Sequence, residues 1–416
     1  MIFTPGKERK ITHCLLMQSA LGVIQNPRAA VVIHNTRSCS KIVWDAFLTL
    51  GEKYEKVTRK RKKDGYIFST GLTNQDAVFG ANEKLRHCLE DIIHEMKPEA
   101  ITVACGCVPG VIGDDTASIC SDIERETNIP ILLLPGHGFM VPGHIDTVTS
   151  LARMLFEKWT VPCISKEKKS NRCVIIGLSP AYSSQEEYQE IMEVLHRMGF
   201  TEVLCPPVGT DKKSYEEMGK ASLVISFVKG SFLEKASEEL GQYIAQSLQV
   251  PLVNWNHIYT PENSKEVFMH LAALCGKEEA TLAYCKEKEK ALAEELHKGK
   301  SGLSGKSCAI RLGISRQMKQ VIPTTQLLRK MGVHSIRVVL SDMITEEEAK
   351  QIRADLAMQD STMRWEEKQQ KEDILLSTLP FDLRKSEELL LPSCLGYDGW
   401  IHFICRLRTA YGETDE

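Results

Sequence analysis

The chain has no apolar stretch approaching the ~20 residues that a membrane span needs, which argues against a membrane protein. Residues 1–10 lack the apolar core of a secretory signal. Net charge is only −3, so no global electrostatic footprint for nucleic acid is present. These absences point to a cytoplasmic protein with neither membrane nor nucleic acid among its partners. Such a compartment disfavours disulfides. Some of the 14 cysteines therefore invite metal or redox roles. The others suit small core positions, where free cysteine is common.

What is present is a globular composition, with 43% hydrophobic and 26% charged residues. At 416 residues the chain exceeds one ordinary core, and roughly two to four domains are expected. An apolar run at Ala30–Ile33 reads as a strand. Residues 85–96 place Leu85, Leu89, Ile92, Ile93 and Met96 on one helical face. Pro98 follows, then a strand at 100–104. Asp114 or Asp115 can cap a helix carrying Ile119 and Ile123, which Asn128 and Pro130 stop before a strand at 131–134.

A linker rich in lysine and serine is expected at 165–172, and the pattern restarts beyond it. Strands are expected at 173–176, 203–205, 223–226 and 251–253, with helices at about 184–198 and 275–298. A second linker is expected at 300–306. A third restart has strands at 307–312 and 336–340 and a helix at 317–331. Thr345 and Glu348 form a capping-box start for a further helix. The resulting fold class is α/β, with three consecutive Rossmann-like domains and mostly parallel sheets. Their expected spans are 1–164, 165–300 and 301–416.

Cys39 and Cys107 each follow an apolar strand-like run, and Cys14 precedes the first. Ligands gather at the carboxyl ends of strands in open α/β sheets. Thiolates presented there can hold an iron–sulfur cluster, so a redox role is favoured over a generic one.

Three strings carry a family resemblance. The first runs from Cys14 through residues 30–34 to Cys39. The second is residues 69–80, ending at Phe79 and Gly80, with Glu83, Lys84 and Leu85. The third is residues 107–115, followed by Pro135, Gly136, His137, Gly138, Phe139, Pro142 and Gly143. Together they resemble the nitrogenase component-1 superfamily. That group includes the molybdenum–iron protein subunits, the cofactor-assembly scaffold, light-independent protochlorophyllide reductase and nickel-sirohydrochlorin reductive cyclase. Gly396–Gly399 and the apolar run after it resemble the family's last strand.

The resemblance implies that Cys14, Cys39 and Cys107 are ligands of an iron–sulfur cluster, either [4Fe-4S] or a larger P-cluster-like one, shared across a subunit interface. Three thiolates leave a four-iron cluster one ligand short, so a second component-1 subunit, of the same or a different chain, must complete it. Gly110, Gly113, Gly136 and Gly138 would let backbone approach the cluster and offer N–H bonds to sulfide. The plainer role for these glycines is an ordinary turn. The implied activity is that of an oxidoreductase. An ATP-hydrolysing iron–sulfur reductase protein would supply electrons, and a bound small molecule would be reduced. The alternative is a non-catalytic scaffold for assembling a metal–sulfur cofactor. No catalytic residue is assigned.

Catalytic nitrogenase subunits anchor their large cofactor through a cysteine in the second domain and a histidine in the third. Here residues 223–228 contain no cysteine and residues 385–394 no histidine, with Cys394 out of place. An anchored iron–molybdenum cofactor is therefore not expected.

Cys105 could serve as an alternate ligand or as a packed thiol. Cys88 and Cys120 fall at core positions of helices. His34, His137 and His144 flank the cluster strings and could supply protons or hydrogen bonds; satisfying loop carbonyls is the plainer role. Asp114 and Asp115 suit capping better than acid catalysis. The basic run 59–63 could dock an acidic partner or be a solvated loop. Residues 302–307 resemble the end of a phosphate-binding loop. They lack its earlier glycine and precede a strand, so nucleotide hydrolysis is assigned to a separate partner.

Overall fold

Among the described residues, each apolar run between 30 and 340 that reads as a strand enters one of three four-stranded sheets. The first contains β1 (Ala29–His34), β2 (Tyr66–Ser69), β3 (Ala100–Cys105) and β4 (Ile131–Pro135), in the order β2-β1-β3-β4. The second contains β5 (Lys169–Ile176), β6 (Glu202–Leu204), β7 (Ala221–Val228) and β8 (Leu252–Asn256), in the order β6-β5-β7-β8. The third contains β9 (Ser307–Leu312), β10 (Ser335–Leu340), β11 (Ile374–Ser377) and β12 (Leu389–Leu390), in the order β10-β9-β11-β12. Every strand pair is parallel. Parallel strands need crossovers, and helices supply them. The fold is α/β with repeated Rossmann-like units. The computed structural model describes residues 16, 19–61, 63–135, 147–178, 185–228, 234–256, 260–313, 318–340, 344–359, 365, 372–377, 389–391 and 396–412.

Burial on both sheet faces explains the continuous apolar runs. In β1, Val31 and Ile33 join Val43 and Phe47 of the helix Arg37–Thr58. Ala30 and Val32 join Leu85 and Leu89 of the helix Asn82–Met96 on the opposite face. One core runs continuously from the second sheet, through Cys173 and Ile175, to the third, through Cys308 and Ile310.

Local capping behaves as the sequence suggests at two sites. Thr345 N–H donates to Glu348 Oε2 at 3.0 Å, and Glu348 N–H donates to Thr345 Oγ1 at 3.3 Å. Asp115, rather than Asp114, caps the helix Thr116–Thr127 by accepting from Ser118 N–H at 3.2 Å.

Four expectations are corrected. The linker at 165–172 is half strand, because β5 begins at Lys169. Arg172 can be buried there, since it pairs with Glu202 and Glu217. The linker at 300–306 is half helix. Helix Glu278–Leu303 continues through Gly299, which lies against Met331 and Ile404, and ends on the fully buried Leu303. Residues 397–399 are not a strand but the first turn of the helix Tyr397–Tyr411. The Glu190 carboxyl group caps that turn, accepting from Tyr397 N–H at 2.8 Å and Asp398 N–H at 3.2 Å. In addition, the helical region expected at 275–298 belongs to two helices, Pro261–Cys275 and Glu278–Leu303, separated at Gly276.

Candidate metal centre

β1 and β3 are the two central strands of the first sheet and run side by side, with His34 opposite Cys105. Beyond His34 the chain turns through Asn35 and Thr36 into the helix Arg37–Thr58, whose third residue is Cys39. Beyond Cys105 it turns at Gly106 into the short helix Cys107–Ile112, whose first residue is Cys107. Both cysteines therefore stand at the carboxyl end of neighbouring central strands, where α/β folds place ligands. Both are half-buried and free of disulfides.

The two turns pack against each other. Gly106 N–H donates to His34 O at 3.0 Å. A Cβ on Gly106 would collide with the Asn35 side chain and stand 2.7 Å from Asn35 Cβ. Glycine is thus required by close approach, since the Gly106 backbone is ordinary extended chain. Gly110 lies within the short helix after Cys107, its N–H pointing at Gly106 O at 3.4 Å. Gly113 ends that helix with φ +75°, and a side chain there would meet open space. Its requirement is conformational.

Thr36 Oγ1 lies 3.7 Å from Cys39 Sγ as a donor. The first turn of a long helix also leaves backbone N–H groups unbonded and carries the positive end of its dipole, which suits an anionic sulfur environment. The donor chemistry and placement of Cys39 and Cys107 fit an iron–sulfur cluster. Cys14, Gly136, His137, Gly138, His144 and Cys394 lie outside the described residues. Among the described residues, no group of three or more His, Cys, Asp or Glu side chains forms a metal cage.

The remaining thiols nearby are core groups. Cys105 is buried, with Thr116 Oγ1 at 3.7 Å, and burial raises its thiol pKa. Burial pushes Cys88 up to about 11 and Cys120 up to about 12. Both pack with Leu85, Leu89 and Ile101.

Three side chains around the cysteine turns were not apparent as a unit in the sequence. His34 is fully buried, with Nδ1 3.1 Å from Thr70 Oγ1 and Nε2 3.6 Å from Asp114 Oδ2. Asp114 Oδ1 accepts from Ala81 N–H at 3.0 Å. One carboxylate thereby links the turn after Cys107 to β1 and to the segment following Phe79. Asp76 is held down to about 2, chiefly by its hydrogen bond from Lys84 and also by Thr73.

Beside these turns the surface is apolar. Phe79 is 87% exposed, Val78 75% and Val111 70%. The helix carrying Val78 and Phe79 packs on the helix carrying Cys107 and Val111. No helix among the described residues is long and apolar enough to cross a membrane.

Comparison with known proteins shows the family and the fold. A family model described as nitrogenase component 1 type oxidoreductase matches residues 14–387. The nitrogenase iron-molybdenum cofactor biosynthesis protein NifE of Clostridium pasteurianum is 25% identical over 327 residues, covering 76% of this chain and 66% of that protein. The nitrogenase molybdenum-iron protein alpha chain of Methanosarcina barkeri is 24% identical over 311 residues, covering 71% of this chain and 54% of that protein. The chain thus spans between 54% and 66% of the length of these two relatives. A solved structure, nitrogenase Cp1 at pH 5, shares the fold with a TM-score of 0.65 at 17% identity, covering 95% of this chain and 87% of that one.

Proposed function

The chain belongs to the nitrogenase component 1 type oxidoreductase family, and on that premise we propose that it is a component-1-type subunit of a nitrogenase-like reductase. Cys39 and Cys107, together with Cys14 and thiolates of a second component-1 subunit, hold an iron–sulfur cluster at the seam between subunits. A four-iron or a larger cluster satisfies this ligand count. When bound, such a cluster supplies one-electron redox chemistry. The domains divide at 1–164, 165–300 and 301–416, one sheet in each, with the helix Glu278–Leu303 crossing the last boundary.

This chain's own residues position, shield and dock. Gly106 and Asn35 keep the two cysteine turns in contact. Phe79, Val78 and Val111 give an ATP-hydrolysing iron–sulfur reductase an apolar surface beside Cys107. The small molecule to be reduced lies between the domains.

The observation that carries this reading is the placement of Cys39 and Cys107 at the ends of adjacent central strands, beside an exposed apolar surface. Anaerobic purification with iron and sulfide quantified tests it. The wild-type protein should be brown and retain both, whereas Cys39→Ala and Cys107→Ala should each lose most of the iron. Full iron content in both variants would remove the ligand assignment.

A second reading, an assembly scaffold that hands its cluster on, is favoured by the likeness to the NifE protein and by the missing cysteine at residues 223–228. Release of iron and sulfide to an acceptor protein, without multiple turnovers of any substrate, would select the scaffold.

A further inference from the structure

His34 ends β1 five residues before Cys39 and is fully buried. The Thr70 hydroxyl donates to Ile33 O at 3.4 Å. With its only hydrogen used there, Thr70 Oγ1 accepts at 3.1 Å from His34 Nδ1, which assigns the ring hydrogen to Nδ1. Nε2 is then an acceptor, and it faces Asp114 Oδ2 at 3.6 Å. Neither atom has a hydrogen-bond partner. The Asp114 side chain is 3% exposed. Two buried acceptors aimed at each other make a site that is short of one proton. A proton placed there converts the pair into a charge-assisted N–H···O bond and leaves neither atom unpaired.

Among the described residues, the other charged groups that act on the ring are few. Asp76 comes from the helix Asn74–Phe79 and Lys84 from the helix Asn82–Met96. These two pair with each other at 2.9 Å, so their effects on His34 oppose. β3 contributes Cys105, whose thiol burial keeps protonated. Burial lowers the His34 pKa, and Asp114 opposes that shift. Burial and the Asp114 carboxylate thus act on the ring in opposite directions, burial the more strongly.

We propose that His34 and Asp114 hold the proton that offsets an electron added at the Cys39–Cys107 site. The proposal rests on the iron–sulfur reading above. The step balances. A one-electron donor, which is the partner reductase in the reaction or dithionite in the test, delivers one electron to the site. His34 Nε2 takes one proton from water and forms an N–H bond shared with Asp114 Oδ2. On oxidation both the electron and the proton leave. Uncompensated charge in a low-dielectric interior is costly, so this pairing makes that one-electron reduction easier. His34 and Asp114 act as positioning residues, since neither is a ligand.

The test is a redox titration of the anaerobically purified, iron-containing protein with dithionite, followed by electron paramagnetic resonance. It spans about pH 6 to 9, the range in which a histidine responds to added negative charge. In wild type the reduction equilibrium should weaken by up to tenfold per pH unit, ~59 mV for one electron. Asp114→Asn keeps the size and the Ala81 acceptor but removes the counter-charge; His34→Gln removes the ring. Both should flatten the slope at unchanged iron content. A flat wild-type profile, or an unchanged slope in whichever variant folds, overturns the proposal. Wild-type protein without iron and sulfide is a separate result, visible before any titration, which sinks the iron–sulfur reading and this proposal with it.

Discussion

Gly106→Ala isolates the contact that keeps the two cysteine turns together. The Gly106 backbone, at φ −86° and ψ −171°, is accessible to any residue. The whole cost of the substitution is therefore steric. The new methyl would run into Asn35 Nδ2 and Cγ and stand 2.7 Å from Asn35 Cβ. Asn35 is 2% exposed and has little room to retreat. Overpacking of this kind costs about 1–3 kcal/mol. At 1.4 kcal/mol per tenfold, that is roughly a 5- to 150-fold rise in local opening.

A global melt of a chain with several sheets is not a two-state measurement. Hydrogen–deuterium exchange of the peptide covering residues 105–112 reads the opening directly. Its Gly106 N–H is bonded to His34 O in the intact turn. Exchange should speed up there in Gly106→Ala while β7 and β9 stay protected. Rescue should be graded. Asn35→Ala removes Nδ2 and Cγ but leaves the Cβ, and so restores only part of the protection. Asn35→Gly removes every clashing atom and restores most of it. Wild-type exchange in Gly106→Ala, or equal rescue by Asn35→Ala and Asn35→Gly, would refute the reasoning.

Other perturbations have equally definite outcomes. Burial pushes Glu190 up to about 8 despite its two N–H bonds. Its contribution to stability is full below its unfolded pKa and is lost as pH rises toward 8. Hydrogen-exchange protection of the helix Tyr397–Tyr411, which Glu190 caps, should fall in wild type relative to Glu190→Gln between those limits; a constant difference would contradict this. Arg337 and Glu372 form a buried pair with two 2.8 Å bonds. Removing one partner, as in Glu372→Ala, should cost about 3–5 kcal/mol by chemical denaturation monitored in the third sheet. Phe79→Ala removes an exposed ring, so stability should change by less than about 0.5 kcal/mol. Electron uptake from an iron–sulfur reductase should nevertheless fall by more than about tenfold if Phe79 anchors docking, as measured by stopped-flow absorbance.

The sequence by itself determined the features that act over a few residues. Continuous apolar runs became parallel strands buried on both faces, as at Ala30–Ile33. Thr345 with Glu348, and Asp115 with Ser118, became helix starts, because each bond closes within three residues. Cys39 and Cys107 could be placed at strand ends because the strands themselves were legible.

What the tertiary structure decided depends on partners distant in the chain. Asp114 and Asp115 look interchangeable as caps, yet only Asp114 turns inward, to a histidine 80 positions earlier. Gly396–Gly399 starts a helix because a carboxyl group some 207 residues away satisfies its first N–H groups. Leu303 extends a helix into an expected linker because a core assembled from two sheets buries it. No local periodicity encodes those pairings, because the free energy that selects them comes from burial and from hydrogen bonds made only once the sheets have assembled.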